Sequence, residues 1–286
     1  MKNRFVDEHR HLWPVRMICR VLGVSPSGYY AWRRRPESER AVANRALMAE
    51  IRAVHAESGG AYGAPRVHAY LRAHGRRFGR HRIARLMRRA GLRGLAAIPR
   101  RVRTTDSRHG HPIAPNRLRR NFTATAPNQV WLADLTYVRT GEGWLFLAAL
   151  IDMHTRKVVG WAVRDTLHAD IALQALEMAI ERQRPAPGLV HHSDRGVQYA
   201  ADAYRQALAA AGITPSMSRK GNCLDNAPME SFFHTLKVER VHHRVYATRA
   251  EARRDLFAYI EGFYNSRRLH SGIGYRSPAD MERMAA

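Results

Sequence analysis

Two cysteines, Cys19 and Cys223, are all that 286 residues contain. They lie far apart and outside any C-x-x-C pairing, which excludes a disulfide framework and suits a reducing cytosol. Long apolar runs are missing too: none approaches the ~20 residues needed to span a bilayer, and the N-terminus lacks a signal-peptide h-region. A soluble, intracellular protein is expected. Acidic residues are scarce, 24 Asp+Glu against 48 Lys+Arg, for a formal charge of +24. Lysine is scarce among the bases, nearly all of which are arginine.

The charge is unevenly spread. Residues 1–120 carry an excess of +21 and residues 121–286 only +3. An arginine coding bias on solvated faces would not by itself segregate charge to one part of the chain. A basic block suits a polyanion, because each phosphate that meets an Arg or Lys releases condensed counterions. Nucleic acid is the first candidate partner. At this length and 45% hydrophobic content the chain can bury more than one core, and two domains are expected.

Met17 to Trp32 reads as a helix stopped at Leu22-Gly23, a tight turn, and a second helix capped by a serine. This is helix-turn-helix patterning, and Arg33 and Arg34 follow where a second helix lying on DNA would meet phosphates. A second pair runs from Tyr62 to Leu92. Pro65 opens one helix, Gly79 breaks it, and Ile83, Leu86 and Met87 mark the apolar stripe of the next. The other faces of that helix carry Arg82, Arg85 and Arg89, candidate DNA contacts. A helical bundle with a merely charged exterior is the bland alternative. Residues 1–96 are therefore read as a basic, helix-turn-helix-like DNA-binding region, and 97–126, rich in Arg, Pro, Thr and His, as a basic linker.

From Gln129 the pattern changes. Gln129–Arg139, Trp144–Asp152 and Lys157–Val163 predict a three-strand meander, followed by a helix from about Ala169 to Arg184. A strand in the GLVHHSDRGVQY stretch, a helix near Ala200–Ala211, a strand at Ile213–Met217 and a helix from about Asn226 to Arg240 complete the pattern. The expected fold is α/β, a mixed sheet with flanking helices over 127–286, including a C-terminal helical segment. Ligand chemistry in such sheets gathers at the carboxyl ends of parallel strands.

GLVHHSDRGVQY ends its apolar run in polar residues that admit several readings. Zinc is disfavoured, since adjacent strand residues point to opposite faces and no nearby Cys or further His completes a set. A serine nucleophile is disfavoured by the missing G-x-S-x-G. His192 shares a strand face with Asp194 and is expected to support that carboxylate. Asp134 lies inside the first strand between apolar neighbours, where an unpaired charge is costly. Asp194 ends the fourth strand, and Glu230 sits in the first turns of a helix with apolar Met229, Phe232, Phe233 and Leu236. Each could be bland alone. Together they offer three acids on elements that can converge, a donor set suited to Mg²⁺ or Mn²⁺. Two such ions serve phosphodiester chemistry. Asp152, at the end of the second strand, reads as a turn residue.

WLADLTY around Asp134, HSDRGVQY around Asp194 and SRKGNCLDNAPMESFF around Glu230, with 35 residues between Asp194 and Glu230, resemble the integrase core of bacterial insertion-sequence transposases read from two overlapping frames. YNSRRLH at Tyr264–His270 and Ser277-Pro278 match that family's C-terminal segment. The resemblance covers nearly the whole chain, which looks like the second-frame product. It implies a ribonuclease-H-like core in which Asp134, Asp194 and Glu230 hold two Mg²⁺ or Mn²⁺ ions for cleavage at transposon ends and 3′-hydroxyl strand transfer into target DNA. It also implies transposon-end and target duplexes as partners, a homo-oligomer that joins two ends, and an upstream-frame helix-turn-helix product by fusion or association. A bacterial, nucleoid-associated cytoplasmic setting follows. Lys237, seven residues beyond Glu230 on nearly the same helix face, occupies the place where related integrases use a lysine on DNA. Arg219, Lys220 and Asn222 lie in the loop before that helix, placed for substrate phosphates, while His234 reads as a packing or hydrogen-bonding residue. A non-catalytic DNA-binding regulator and a nuclease for RNA–DNA hybrids are the alternatives. The three intact acids weigh against the first, and the helix-turn-helix pairs against the second.

Overall fold

The structure, a computed structural model, describes residues 1–96, 111–168 and 170–285. The chain divides into two compact units, Met1–Ala53 and Val54–Ala286.

The first unit is helical: α1 (Lys2–His9), α2 (Val15–Leu22) and α3 (Pro26–Arg34), followed by the start of α4 (Glu39–Glu57). Gly23 ends α2 at φ +60°, a left-handed conformation that glycine adopts without strain. The Ser25 hydroxyl accepts from the Gly28 amide at 3.3 Å and so caps α3. Val6, Ile18, Cys19 and Tyr29 form its buried core. Neither α1 nor the 19-residue α4 was expected from the sequence. Yet α4 is bracketed by Pro36 and by Gly59-Gly60, breaker signals that mark its bounds in the sequence.

In the second unit α5 (Ala64–Ala73) and α6 (Arg80–Arg89) precede a five-stranded sheet. The strands are β1 (Val130–Thr140), β2 (Gly143–Asp152), β3 (Val158–Arg164), β4 (Val190–Ser193) and β5 (Thr214–Met217), in the order β3-β2-β1-β4-β5. The first three are antiparallel, and β4 and β5 run parallel to β1. Between and after them come α7 (Asp170–Gln183), the single turn α8 (Val197–Ala200), α9 (Asp202–Ala210), α10 (Ala227–Glu239), α11 (Arg249–Tyr259) and α12 (Pro278–Ala285). This is the mixed sheet with helices expected of an integrase-type, ribonuclease-H-like core. None of the described helices is long and apolar enough to cross a membrane.

Alternation along the strands sorts the core into two layers. Leu132, Val138, Leu145 and Leu147 pack with Phe232, Leu236 and Leu256 of α10 and α11. Trp131, Ala133, Ala148 and Leu150 pack with α7 and α9 on the other face. Gly160 of β3 is where α7 comes closest, since a Cβ there would overlap the Ala175 carbonyl. Asp152 is the turn residue expected: its carboxylate accepts from the amides of Asn128, His154 and Thr155.

Residues 97–110 of the expected linker lie outside the described residues. The remainder of that segment is packed on the core rather than loose. Leu118 joins the buried cluster, the Arg117 amide donates to Ser216 Oγ at 2.9 Å, and Asn116 and Arg120 both donate to Asp225 at 3.0 Å. Composition read this stretch as a linker because its anchors are polar and distant in sequence.

Candidate active site

β1 pairs with β4 only from Val130 to Leu132, whereas its pairing with β2 runs to Thr140. Beyond Leu132 the edge of β1 therefore faces the turn after β4 instead of a strand, which opens a crevice at the carboxyl end of β4, beside the middle of β1. The Ala133 carbonyl on this edge accepts from Asn226 Nδ2 at 3.1 Å. That bond ties the start of α10, and hence Glu230, to the strand that carries Asp134. Asp134 Oδ1 accepts from the Leu135 amide at 2.8 Å, and Asp194 Oδ1 from the Gly196 amide at 2.8 Å. Gly196 permits that tight turn, because a Cβ would lie 3.0 Å from Asp194 Oδ1 and from Gln198 Oε1. Asp134, Tyr137, Phe146, Asp194 and Gln198 line a cavity of about 280 Å³. A larger one, of about 590 Å³ between Tyr70 and Tyr275, holds none of the three acids.

The electrostatics show which groups sense one another. Asp134 keeps some exposure as a residue, yet its carboxyl is enclosed by protein. Burial first, and then the charge of Asp194 with a smaller contribution from Glu230, pushes it well above the usual carboxylate range. Glu230 is shifted upward by burial, although the residue is exposed. Burial lowers Lys237, the nearby Asp134 charge opposing that shift, and its ammonium sits 4.8 Å from the Tyr137 ring centre. The sequence-predicted Asp134, Asp194, Glu230 and Lys237 are thus one electrostatic group.

Other expected residues fare differently. Arg219 sends its backbone amide, Nε and Nη2 to Asp225 at 2.8–3.0 Å, so much of its donor set is already committed. Lys220 is exposed. Arg85 and Arg89 are exposed on α6, and Arg82 lies 5.3 Å from the Phe78 ring centre. Arg33 and Arg34 are exposed in the first unit, where Arg33 pairs with Asp7 at 3.5 Å. His192 does not give Asp194 the support expected of it. Its ring nitrogens meet Ser216 Oγ at 2.8 Å and Ser218 Oγ at 3.1 Å, because the ring reaches across to the parallel neighbour β5.

Three residues of the neighbourhood escaped sequence reasoning. Asp225 is fully buried and accepts from Asn116, Arg120 and Arg219, which hold its carboxyl well below the usual range, the hydrogen bond from Arg219 foremost. Asn226 makes the bond to β1 described above. The Tyr199 hydroxyl is buried without a hydrogen-bond partner among the described residues, and burial and then the Asp134 charge push it well above its ordinary value. Asp225-Asn226 before a proline-bearing helix start looks like simple capping, and a lone tyrosine after a glycine turn gives no signal at all.

A mixed sheet of this order, with Asp134 and Asp194 lining one crevice beside the end of β4 and helical pairs ahead of it, defines an integrase-core protein. Integrase core domain models match residues 124–223 and 211–278, and an HTH-like domain model matches 42–102. The chain is 40% identical over 285 residues to the transposase InsF of insertion sequence IS3A from Escherichia coli K12, covering 99% of this chain and 98% of that protein. It is 47% identical over 263 residues to an uncharacterized 31 kDa protein of insertion element IS600 from Shigella sonnei, covering 92% and 96%. Among solved structures, the catalytic core domain of HTLV-2 integrase in complex with magnesium is 14% identical, with 56% of this chain and 98% of that chain covered at a TM-score of 0.39. The relatives, not that distant structure, settle the matter: the chain belongs to the InsF-type transposases of the IS3 family, enzymes with a DDE integrase core behind an HTH-like domain.

Proposed function

We propose that Asp134, Asp194 and Glu230 are the catalytic and metal-binding acids of this transposase, that they hold two Mg²⁺ or Mn²⁺ ions, and that the enzyme cuts at transposon ends and joins the freed 3′-hydroxyl to target DNA. The observation that carries this reading is the enclosed Asp134 carboxyl, raised by burial and by its two acidic neighbours. An acid kept so close to others without a saturating cation is costly to stability, and such cost concentrates at functional sites. The donor set is all carboxylate oxygen, which suits a hard divalent ion. Among the described residues no three His, Cys, Asp or Glu form a ready cage. That is compatible with Mg²⁺, which takes one or two carboxylates and completes its shell with waters and substrate phosphate.

Bound there, such ions polarise a phosphodiester oxygen and lower the pKa of an attacking water or hydroxyl. The chain's own groups do the rest. Asn226 fixes the Glu230 helix against β1, and the Asp194–Gly196 turn orients the second acid. The half-buried Lys237 places a cation beside Asp134 for a DNA phosphate. The Tyr199 hydroxyl stays protonated near Asp134 and keeps a donor uncommitted among the described residues. In the first step water opens the phosphodiester at the transposon end. In the second the 3′-hydroxyl forms a new ester with a target phosphorus as the target's 3′-oxygen leaves.

The same reading assigns duplex phosphates to Arg33, Arg34, Arg82, Arg85, Arg89, Arg219 and Lys220. It takes the working form to be a homo-oligomer that synapses two ends in the bacterial cytoplasm, with an upstream-frame helix-turn-helix product fused or associated. The deciding measurement is strand transfer of a pre-cut transposon end in Mg²⁺ by purified Asp194→Asn protein. A loss of roughly 10³-fold or more is expected, and activity equal to the unaltered chain would refute the assignment.

A further inference from the structure

On the flank of α10 away from Glu230 lies a second, oppositely charged site. Arg66 of α5, Arg156 of the β2–β3 turn and Arg268 of the C-terminal segment line a cavity of about 290 Å³, together with the hydroxyl-bearing Ser231, Thr235 and Ser271. Among the described residues no carboxylate lines it. One acid, Glu239, serves two of the three guanidiniums: it pairs bidentately with Arg268 at 2.7 Å and stands 3.7 Å from Arg66. The Arg268 and Glu239 side chains are almost wholly buried, at 4% and 6% exposure, so this pair is a built feature and not a surface coincidence.

Arg156 is the odd cation. Among the described residues its only side-chain hydrogen-bond partner is the Met153 sulfur at 3.9 Å. The nearest acid acting on it, Asp152, already accepts from three backbone amides and the Thr155 hydroxyl. Its backbone holds φ +64°, a left-handed conformation unusual for a residue other than glycine. Burial disfavours its charged form. Among the described residues, three arginines set against Glu239 in contact and Asp152 nearby leave an excess of positive charge in a polar, half-enclosed cavity. His270 records the same excess: burial, and then Arg268, Arg66 and Arg156, push its ring down to about 2, so it stays neutral and meets Arg268 Nη1 at 3.2 Å.

We propose that this arginine pocket binds a phosphate group. Guanidinium forks and hydroxyl donors are the groups that recognise tetrahedral oxyanions, and they do so best where partly desolvated. The volume holds one phosphate with several waters, each of which takes about 30 Å³. The ligand is either a phosphodiester of the DNA on which the enzyme works or a free phosphate, and the chemistry of recognition is the same. The site is separate from the carboxylate crevice and does not depend on the catalytic assignment, so Asp194→Asn protein keeps it.

The test uses the full chain and inorganic phosphate. Thermal unfolding is followed with rising phosphate against chloride at matched ionic strength, for the unaltered chain, Arg156→Gln and Ser271→Asp. The last variant places a carboxylate at the exposed rim of the pocket, where it pairs with the arginines and competes with phosphate. Phosphate stabilises proteins generally by exclusion, so the informative quantity is the increment that the variants lose. A larger rise in Tm for the unaltered chain than for both variants supports the site. Equal rises in all three overturn it, and if Arg156→Gln does not fold, Ser271→Asp decides alone. The source is read from duplex binding: a DNA phosphate predicts that Arg156→Gln reduces the slope of log K against log salt by about 0.9. An unchanged slope with a lost phosphate increment assigns the pocket to free phosphate.

Discussion

Two flanks of α10 carry opposite imbalances. Toward β1, three acids stand with one half-buried lysine, and the enclosed Asp134 is driven toward its neutral form. On the other flank, three arginines line one cavity, and two of them share one carboxylate. A fold optimised only for stability would pair these charges, as it does at Asp225, where hydrogen bonds from Arg120, Arg219 and Asn116 saturate one buried acid. The contrast separates an acid matched by its neighbours from charges gathered with others of their own sign.

That contrast breaks if one chemical change has the same effect on both flanks. The largest expected effect is on activity: Asp134→Asn, like Asp194→Asn, should abolish strand transfer in Mg²⁺ by roughly 10³-fold or more. Next is Glu239→Gln, also a carboxylate-to-amide change. It leaves Arg268 buried without its counter-charge and should cost about 3–5 kcal/mol in denaturant unfolding. Asp134→Asn should do the reverse and raise Tm by a few degrees near pH 7–8 in the absence of divalent cations. The sign follows from linkage: the folded-state pKa of Asp134 is raised, so the unaltered chain loses stability as pH climbs from the unfolded value, roughly 3.9, through the folded one. Below that range both proteins are neutral at this position, and the gap in Tm should close. Equal Tm values at neutral pH would remove the argument for repulsion in the crevice.

Addition of Mg²⁺ or Mn²⁺ sharpens the same comparison without an activity assay. It should raise the Tm of the unaltered chain and leave the Asp134→Asn, Asp194→Asn double variant unmoved. The smallest effect is expected at Lys237→Gln, where loss of the contact with the Tyr137 ring is worth about 0.5–1 kcal/mol. Its effect on duplex binding should be the larger one. Unchanged DNA affinity would leave Lys237 a packing residue.

What could be read in advance differs between strands, site and pocket for physical reasons. The meander and the later strands announced themselves because β1, β2 and β3 are alternating or apolar runs between turns, and the structure places each within about two residues of its expected bounds. The acids stood out because carboxylates in apolar company need a reason, and their motifs and spacing matched a family. By contrast, Asp225 carries no local signal of its role, because its partners Asn116 and Arg120 stand over 100 residues earlier in the chain. His192 went to β5 and not to Asp194, since face-sharing along one strand does not say which neighbour a ring will reach.

Taken alone, the sequence determined most of the element pattern and the basic N-terminal portion and singled out three acids as candidates, because periodicity, composition and local spacing are properties of the chain itself. Tertiary structure alone decided that β1 outruns β4 and opens the crevice, that Asn226 ties α10 to that edge, and that Arg66, Arg156 and Arg268 meet around one cavity. Those are encounters between residues far apart in the chain. They are set by strand register and side-chain packing, which no local pattern encodes.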